Sequence, residues 1–240
     1  MVPVSYWVIQ GLGVEGGSAI RVAFGTSLLV ILPTAASGAW AHTRRRSIRW
    51  KAALALGASG LGGGVLGASL ATHVSARMLE IGFGTLVLGV AIWLGLGALP
   101  RLAREGKPLR SNPWLLAACG LPVGVITGLT GLGGGVLIVP VLMLAFNFPA
   151  HMAVGTSIAS IVFTSVGGVI GYVVNGIGVP GLPPYSLGYV NLPIWASLAA
   201  TSIPLAQLGS RLTHVLPGKQ LRYIFIAFMV YAGLRMLGLL

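Results

Sequence analysis

The sequence contains 100 consecutive residues, Ser111 to Ser210, without a single Asp, Glu, Lys or Arg. A water-soluble domain of this size needs charged side chains on its surface, whereas a charge at the centre of a membrane helix costs about 2.5 to 3.5 kcal/mol on insertion scales. Three further uncharged runs, 22–43, 52–76 and 81–100, each match one span of about 20 residues. With 55% hydrophobic and 8% charged residues among 240, the composition predicts a polytopic membrane protein.

The apolar runs predict helices rather than strands. They are twice as long as a barrel strand of about 10 residues, and apolar and polar residues do not alternate with a period of two. The predicted fold class is therefore all-α, a transmembrane helical protein, and strands are not expected. The predicted helices are Val2–Gln10, Ala23–Ala41, Ala52–Thr72, Leu79–Leu99, Trp114–Thr130, Gly135–Phe148, Met152–Val174, Leu192–Ser210 and Leu221–Leu240.

The basic residues lie where they would orient the chain. Twelve of the fifteen Lys and Arg residues occur in three short gaps between apolar runs, and the positive-inside rule places these gaps, 42–51, 101–110 and 211–222, in the cytoplasm. The net charge of +12 thus reflects membrane topology, and nucleic-acid binding is not expected. Because Arg110 and Arg211 then share one side, an even number of crossings separates them. The predicted helices at 152–174 and 192–210 supply two of these crossings, so the segment from Trp114 to Phe148 must enter the membrane and return to the same side. It forms either a re-entrant hairpin or two short spans.

The two halves of the chain resemble each other. Ala23 to Ser27 (AFGTS) recurs as Ala153 to Ser157 (AVGTS), and Met1 to Val4 (MVPV) recurs as 138–141 (IVPV). Equivalent connections carry opposite charge character, which is expected when two halves insert with opposite orientation. We therefore predict two inverted repeats, 1–100 and 114–240, joined by a cytoplasmic linker at 101–113. Each repeat would comprise a short or re-entrant helical hairpin and three spans.

A glycine-rich segment, GLGGGVLIVP at 131–140, marks the turn of the second hairpin. Glycine lets a chain turn sharply and lets a ligand approach backbone N–H groups, and a helix beginning at Gly135 would offer unpaired N–H donors. Such an arrangement suits an oxyanion without placing a permanent charge in the bilayer. The alternative is that the glycines only permit close helix packing, and that nearby hydroxyls bond to their own backbone.

The Gly-x-Gly-Gly-Gly segment with its trailing Val-Pro, followed by Ala-x-Gly-Thr-Ser in a duplicated hydrophobic chain, resembles the sulfite exporter family TauE/SafE over nearly the whole length. The resemblance implies export of sulfite, sulfoacetate or related organosulfonates across the bacterial inner membrane. Because the first-half counterpart of the glycine segment would precede Met1, we expect the first hairpin to lack its leading arm, as in an N-terminally truncated family member.

The candidate substrate-binding residues combine the glycine segment with the Gly-Thr-Ser motifs. They are Thr127, Thr130, Gly133, Gly134, Gly135, Pro140, Gly155, Thr156 and Ser157, with Gly25, Thr26 and Ser27 from the first half. His151, which follows the hairpin, is the candidate for proton coupling, although an exposed position at the membrane interface is the alternative. Glu15, Glu80 and Glu105 map to connections or span ends, so a relay of buried carboxylates is not expected.

The leading functional hypothesis is a secondary transporter that uses the proton gradient. A passive anion channel or permease, and an inactive fragment or structural membrane subunit, remain alternatives. An enzyme is not expected, because the sequence has no carboxylate pair, clustered histidines or activated nucleophile. No metal or cofactor is expected. The expected partners are the lipid bilayer and a small anion, with a homo-oligomer as a further option.

Overall fold

The computed structural model describes residues 2–11, 13–44, 46–96, 112–202 and 218–239. Within these ranges the chain is almost entirely helical, which confirms the all-α class. The helices are α1 (Val2–Gly11), α2 (Gly16–Arg44), α3 (Trp50–His73), α4 (Ala76–Gly95), α5 (Pro113–Thr130), α6 (Gly135–Ala145), α7 (Ala150–Gly176), α8 (described over 192–202) and α9 (Gly218–Leu237). The predicted linker and the C-terminal part of the predicted helix Leu192–Ser210 lie outside the described residues.

Five of these helices, α2, α3, α4, α5 and α7, are long and apolar enough to cross a bilayer. The 11 residues of α6 extend only about 16 Å at 1.5 Å per residue, roughly half of a 30 Å hydrocarbon core. The structure thus gives the second hairpin one arm of spanning length and one of half that length.

Local signals explain where several helices begin and end. The side chain of Asn112 accepts a hydrogen bond from the Trp114 amide at the start of α5, and Pro113 occupies the first turn, where its missing N–H is not needed. The predicted helix Gly135–Phe148 ends earlier, at Ala145, because Asn147 has a φ of 58° and Pro149 precedes α7.

The second long helix, α2, begins seven residues earlier than predicted, so Arg21 lies within it. The charge is accommodated because the guanidinium donates to the carbonyl oxygens of Ala71 (3.2 Å) and Val74 (3.1 Å), where α3 ends. A cation at a helix C-terminus complements the helix dipole. The prediction of no strands misses a two-residue ladder, Ser186–Leu187 (β1) with Val190–Asn191 (β2), in the connection that precedes α8.

Glycines bring α3 into backbone contact with α5 and α7. A Cβ placed on Gly63 would lie 3.0 Å from the Cα of Gly124 in α5, and one on Gly64 would lie 2.6 Å from the carbonyl oxygen of Thr164 in α7. Small residues drive such approach in membranes, where van der Waals packing replaces the hydrophobic effect between helices. The three helices therefore form a tightly packed unit, against which α2 and the connection between α5 and α6 lie.

Candidate functional site

The connection between α5 and α6, residues 131–134, is a tight bend made possible by glycine; we call it the elbow. Gly131, Gly133 and Gly134 have φ values of 67°, 74° and 71°, a region that residues with a Cβ rarely adopt. Gly131 ends α5 in the left-handed conformation and donates its amide to the Thr127 carbonyl oxygen, and Gly134 caps the start of α6. The sequence prediction of a glycine bend followed by a helix from Gly135 agrees with this geometry.

The elbow leaves backbone donors unused. The amides of Leu137 and Ile138 donate to the Gly134 carbonyl oxygen, but the amides of Gly133, Gly134, Gly135 and Val136 have no acceptor among the residues that the structure describes. Gly133 and Gly134 are buried. Because a buried N–H without a partner costs about 1 to 3 kcal/mol, an arrangement of four is expected to receive a ligand or water. Their positive ends point to an anion rather than a cation.

The elbow packs against the midpoints of the two long helices α2 and α7. A Cβ on Gly133 would lie 2.9 Å from Cδ1 of Ile31 in α2 and 3.5 Å from Cγ2 of Ile161 in α7. Each isoleucine lies within two residues of the centre of its helix. The elbow thus sits about halfway along two spanning helices, the depth at which broken helices bind substrate in transporters.

Two hydroxyl groups flank the elbow. The Oγ1 of Thr127 lies directly against Gly134, and the Oγ of Ser157 would be 3.7 Å from a Cβ on Gly135. Thr127 donates to the Val123 carbonyl oxygen (2.8 Å), whereas Ser157 is 1% exposed and makes no hydrogen bond within the described part of the chain. The structure therefore gathers Thr127, Gly133, Gly134, Gly135 and Ser157 in one place.

The other predicted hydroxyl, that of Thr130, donates to the carbonyl oxygen of Ile126 at 2.7 Å. Thr130 and Thr127 thus both make the local backbone bond that the packing alternative expects, although each retains oxygen lone pairs. Pro140 lies one turn further along α6, beside a separate cavity.

Cavities beside the elbow are small or apolar. One of about 10 Å³, bordered by Thr127, Thr130 and Gly134, has room for a single water molecule. A second, of about 200 Å³, lies between α4 and α6 and is lined by Val90, Trp93, Leu94, Gly135, Val136, Val139 and Pro140. Gly133 and Gly134 are therefore closed to an anion unless α6 or its neighbours move, whereas Gly135 and Val136 border the larger, apolar cavity.

The Gly-Thr-Ser motif of α7 contacts the chain itself. The amide of Arg49, which precedes α3, donates to Oγ1 of Thr156 at 3.1 Å, and a Cβ on Gly155 would lie 2.6 Å from the carbonyl oxygen of Ser47. Gly155 thus allows residues 46–49 to approach α7, and the Thr156 hydroxyl holds them there. Both residues are buried, and their contact with substrate stays a prediction.

The matching motif in α2 makes the reciprocal contact. The amide of Asn191, which precedes α8, donates to Oγ1 of Thr26 at 3.0 Å, and the carbonyl oxygen of Tyr189 lies directly against Gly25. Each Gly-Thr pair therefore holds the connection that begins a helix of the opposite half. The hydroxyl of Ser27, which follows Thr26, is buried without a hydrogen-bond partner among the described residues.

The coupling candidate, His151, lies at the start of α7 with an exposed side chain that makes no hydrogen bond to the described residues. This position agrees with the interfacial alternative, and coupling through His151 stays a prediction. Glu80 is the fifth residue of α4 and so lies near a span end, as expected, with a side chain that is 16% exposed.

Sequence reasoning missed residues whose role depends on tertiary contacts. Tyr172 is fully buried in α7 and donates its hydroxyl to the carbonyl oxygen of Gly128, one turn before the elbow. Asn191 donates its side chain to the Pro184 carbonyl oxygen and accepts from the Ile194 amide, so it shapes the connection that Thr26 holds. For both Tyr172 and Asn191, the signal that the sequence offered was a polar side chain within a long charge-free run.

Broken helices, spanning helices and unpaired main-chain donors at mid-depth define the class, a multi-pass membrane transporter. The model of the sulfite exporter TauE/SafE family matches residues 1–236, and the chain belongs to this family. It is 29% identical to a probable membrane transporter protein of Methanocaldococcus jannaschii, over 98% of this chain and 85% of the relative. It is also 27% identical to a probable membrane transporter protein of Haemophilus influenzae, over 98% and 88% respectively. A third relative, the probable membrane transporter protein YdhB of Bacillus subtilis, is 28% identical over 91% and 85%. No solved structure matches the chain.

Proposed function

We propose that this protein is a secondary transporter that exports small sulfur-containing anions, such as sulfite, sulfoacetate or related organosulfonates, across the inner membrane. Export is driven by the proton gradient and proceeds by alternating access between two inverted halves. The anion binds at the elbow, where the amides of Gly133 to Val136 point at its oxygens. The unpaired state of these amides is the observation that carries the proposal.

Neutral donors suit an exported anion in the bilayer. An arginine at this depth would cost several kcal/mol to insert, and would hold an anion strongly enough to slow its release. Backbone amides at a helix start supply about half a positive charge without either penalty. The Ser157 hydroxyl, which makes no hydrogen bond to the described residues, adds a side-chain donor next to Gly135.

The closed elbow fits a transport cycle better than an open pore. The cavity of about 10 Å³ at Gly134 admits water but no oxyanion, so an anion can reach the buried amides of Gly133 and Gly134 only after a conformational change. When a protein must change conformation to bind each ion, that change limits its turnover rate, as in a transporter. A passive channel with the same fold would instead need a continuous path past the elbow.

The test is sulfite efflux from proteoliposomes with the variant Gly134→Ala. An alanine at φ 71° costs about 1 to 2 kcal/mol, and its Cβ would overlap Oγ1 of Thr127, so the amides turn away from their present directions. We expect efflux to fall at least about tenfold, since each 1.4 kcal/mol of lost transition-state binding corresponds to a factor of ten. Gly62→Ala is the matched control, because no heavy atom lies within 4 Å of its added Cβ.

Undiminished efflux in a folded Gly134→Ala protein would remove the elbow as the anion site. Wild-type flux that follows the membrane potential alone, with no response to a pH gradient, would favour the passive channel. Absence of sulfite, sulfoacetate and other organosulfonate flux from folded wild-type protein would leave the structural subunit or inactive fragment.

A further inference from the structure

A polar cluster joins α1 to α4 at the end of the protein that the predicted topology places outside the cell. Tyr6 donates its hydroxyl to Oε1 of Glu80, and Gln10 donates its side-chain amide to the hydroxyl oxygen of Tyr6 at 2.8 Å. Nη1 of Arg77 lies 3.4 Å from Oε2 of Glu80. Both carboxylate oxygens of Glu80 therefore have a partner: Oε1 binds Tyr6 of α1, and Oε2 binds Arg77 of α4.

The same cluster reaches α9 through Arg77. Its Nη2 donates to the carbonyl oxygen of Leu237, the last residue of α9, at 2.9 Å. A second cation of this region, Arg235 of α9, does not bind the carboxylate. Its guanidinium carbon lies 4.1 Å from the centre of the Trp7 ring, and its Nη1 donates to the Tyr231 hydroxyl. Among the other neighbours of α4, α2 stacks Phe24 on Phe83 and carries Arg21, whose guanidinium donates to the Val74 carbonyl oxygen two residues before α4. At the small cavity α5 faces Leu86 with the hydroxyl groups of Thr127 and Thr130.

Glu80 differs from Glu15, the other acidic residue that the structure describes. The sequence has three, of which Glu105 lies outside the described residues. Glu15 is exposed before α2, and its side chain makes no hydrogen bond or ion pair with the described residues. Glu80 instead lies inside a helix of spanning length, with a side chain 16% exposed and partners on two other helices. An ionisable residue inside a membrane helix is expected to serve function, because insertion of its charge is costly.

The cluster lies outside the unit that α3, α5 and α7 form through glycine. Glycine also brings α4 against α9, where a Cβ on Gly84 would lie 3.0 Å from the carbonyl oxygen of Gly233, so Glu80 and Arg77 belong to a second packed pair of helices that can shift against the first unit. When the carboxylate gains a proton it becomes neutral and loses its attraction for the guanidinium of Arg77. The change is therefore transmitted to the contacts among α1, α4 and α9.

We propose that Glu80 is the residue that takes up the coupling proton from the outside. The inference rests on the proposed function, because it assigns the proton acceptor of that transport cycle. The proton binds a carboxylate oxygen, the ion pair with Arg77 is lost, and the neutral cluster allows α4 to move relative to α6. Release of the proton to the cytoplasmic side returns the carboxylate to its charged form and restores the pair.

The experiment separates coupling from anion transport in proteoliposomes loaded with radiolabelled sulfite. Efflux is measured with an inward proton gradient, and exchange of labelled for unlabelled sulfite is measured without any gradient. We expect Glu80→Gln to lose the acceleration by the gradient while keeping exchange at the wild-type rate. Glu80→Asp, which retains an ionisable group, should recover acceleration, and Glu15→Gln should behave as wild type. Monodisperse elution in detergent establishes that each variant is folded.

Each outcome decides between the two proposals. Gradient-driven acceleration that persists in Glu80→Gln, or loss of exchange together with acceleration in the folded variant, would overturn the role of Glu80. If Glu80→Gln does not fold, Glu80→Ala replaces it: loss of acceleration with intact exchange supports the assignment, whereas acceleration that persists, or loss of both, overturns it. If the wild-type protein exchanges sulfite but does not respond to the proton gradient, the coupling role of Glu80 is overturned and anion transport is not. Wild-type protein without exchange refutes the proposed function itself.

Discussion

The substitution Gly155→Ala tests whether the close approach of residues 46–49 to α7 stabilises the fold. The added Cβ would lie 2.6 Å from the carbonyl oxygen of Ser47 and 3.1 Å from its carbonyl carbon, and these backbone atoms cannot rotate away. Overpacking of this kind costs about 1 to 3 kcal/mol, and loss of the part-buried hydrogen bond from the Arg49 amide to Thr156 costs about 1 kcal/mol more. The higher helix propensity of alanine offsets about 1 kcal/mol of this. The expected net loss is about 2 kcal/mol.

Thermal unfolding in detergent, followed by tryptophan fluorescence, measures this loss. At roughly 2 to 4 °C per kcal/mol for a chain of this size, the midpoint should fall by about 4 to 8 °C. Gly62→Ala adds the same methyl group to a helix where no heavy atom lies within 4 Å, so its midpoint should stay level or rise. A Gly155→Ala midpoint within about 2 °C of the control would refute the argument, because no contact between α7 and residues 46–49 would then be tight enough to matter.

Three further predictions concern individual contacts. Thr26→Val removes the acceptor for the amide at the start of α8, and should lower the unfolding midpoint by about 2 to 6 °C; an unchanged midpoint contradicts the bond. Tyr172→Phe leaves the Gly128 carbonyl without the hydroxyl donor of Tyr172 and should reduce both stability and sulfite efflux, since Gly128 precedes the elbow. If stability falls and efflux does not, this hydrogen bond supports the fold but not transport. Single cysteines at Arg46 and Pro183, in a background without the native cysteine, should react with impermeant reagents from opposite sides of the membrane. Labelling from the same side contradicts the predicted topology.

The spanning helices could be predicted because the bilayer constrains sequence so strongly. A charge-free run of about 20 residues has few alternatives in lipid, and the predicted helices overlap the observed ones throughout the described ranges. The glycine elbow could also be predicted, since consecutive glycines followed by a β-branched run indicate a bend and then a helix. Helix ends were less predictable: Arg21 continues α2 because distant carbonyls receive its guanidinium.

The partners of the Gly-Thr-Ser motifs could not be predicted from sequence. Thr156 and Arg49 are 107 residues apart, and Thr26 and Asn191 are 165 apart. A small residue followed by a hydroxyl fits a ligand and a backbone segment equally well, because both offer polar atoms at short range. Only the tertiary structure distinguishes them. For Glu80 likewise, the position near the start of a span could be predicted, whereas its partner Tyr6, 74 residues away, could not.

The distribution of backbone contacts determines where the elbow can open. Helices α3, α5 and α7 meet through glycines, and sliding one past another would bring main-chain atoms into overlap. In contrast, α4 meets α2 and α5 through side chains such as Phe83 and Leu86, which can repack by changing rotamers. The 200 Å³ cavity already separates part of α4, at Val90 and Trp93, from Gly135 at the start of α6. Separation of α4 from α6 therefore disrupts side-chain contacts rather than the backbone contacts of α3, α5 and α7, and it exposes the amides of the elbow on the side where the cavity lies.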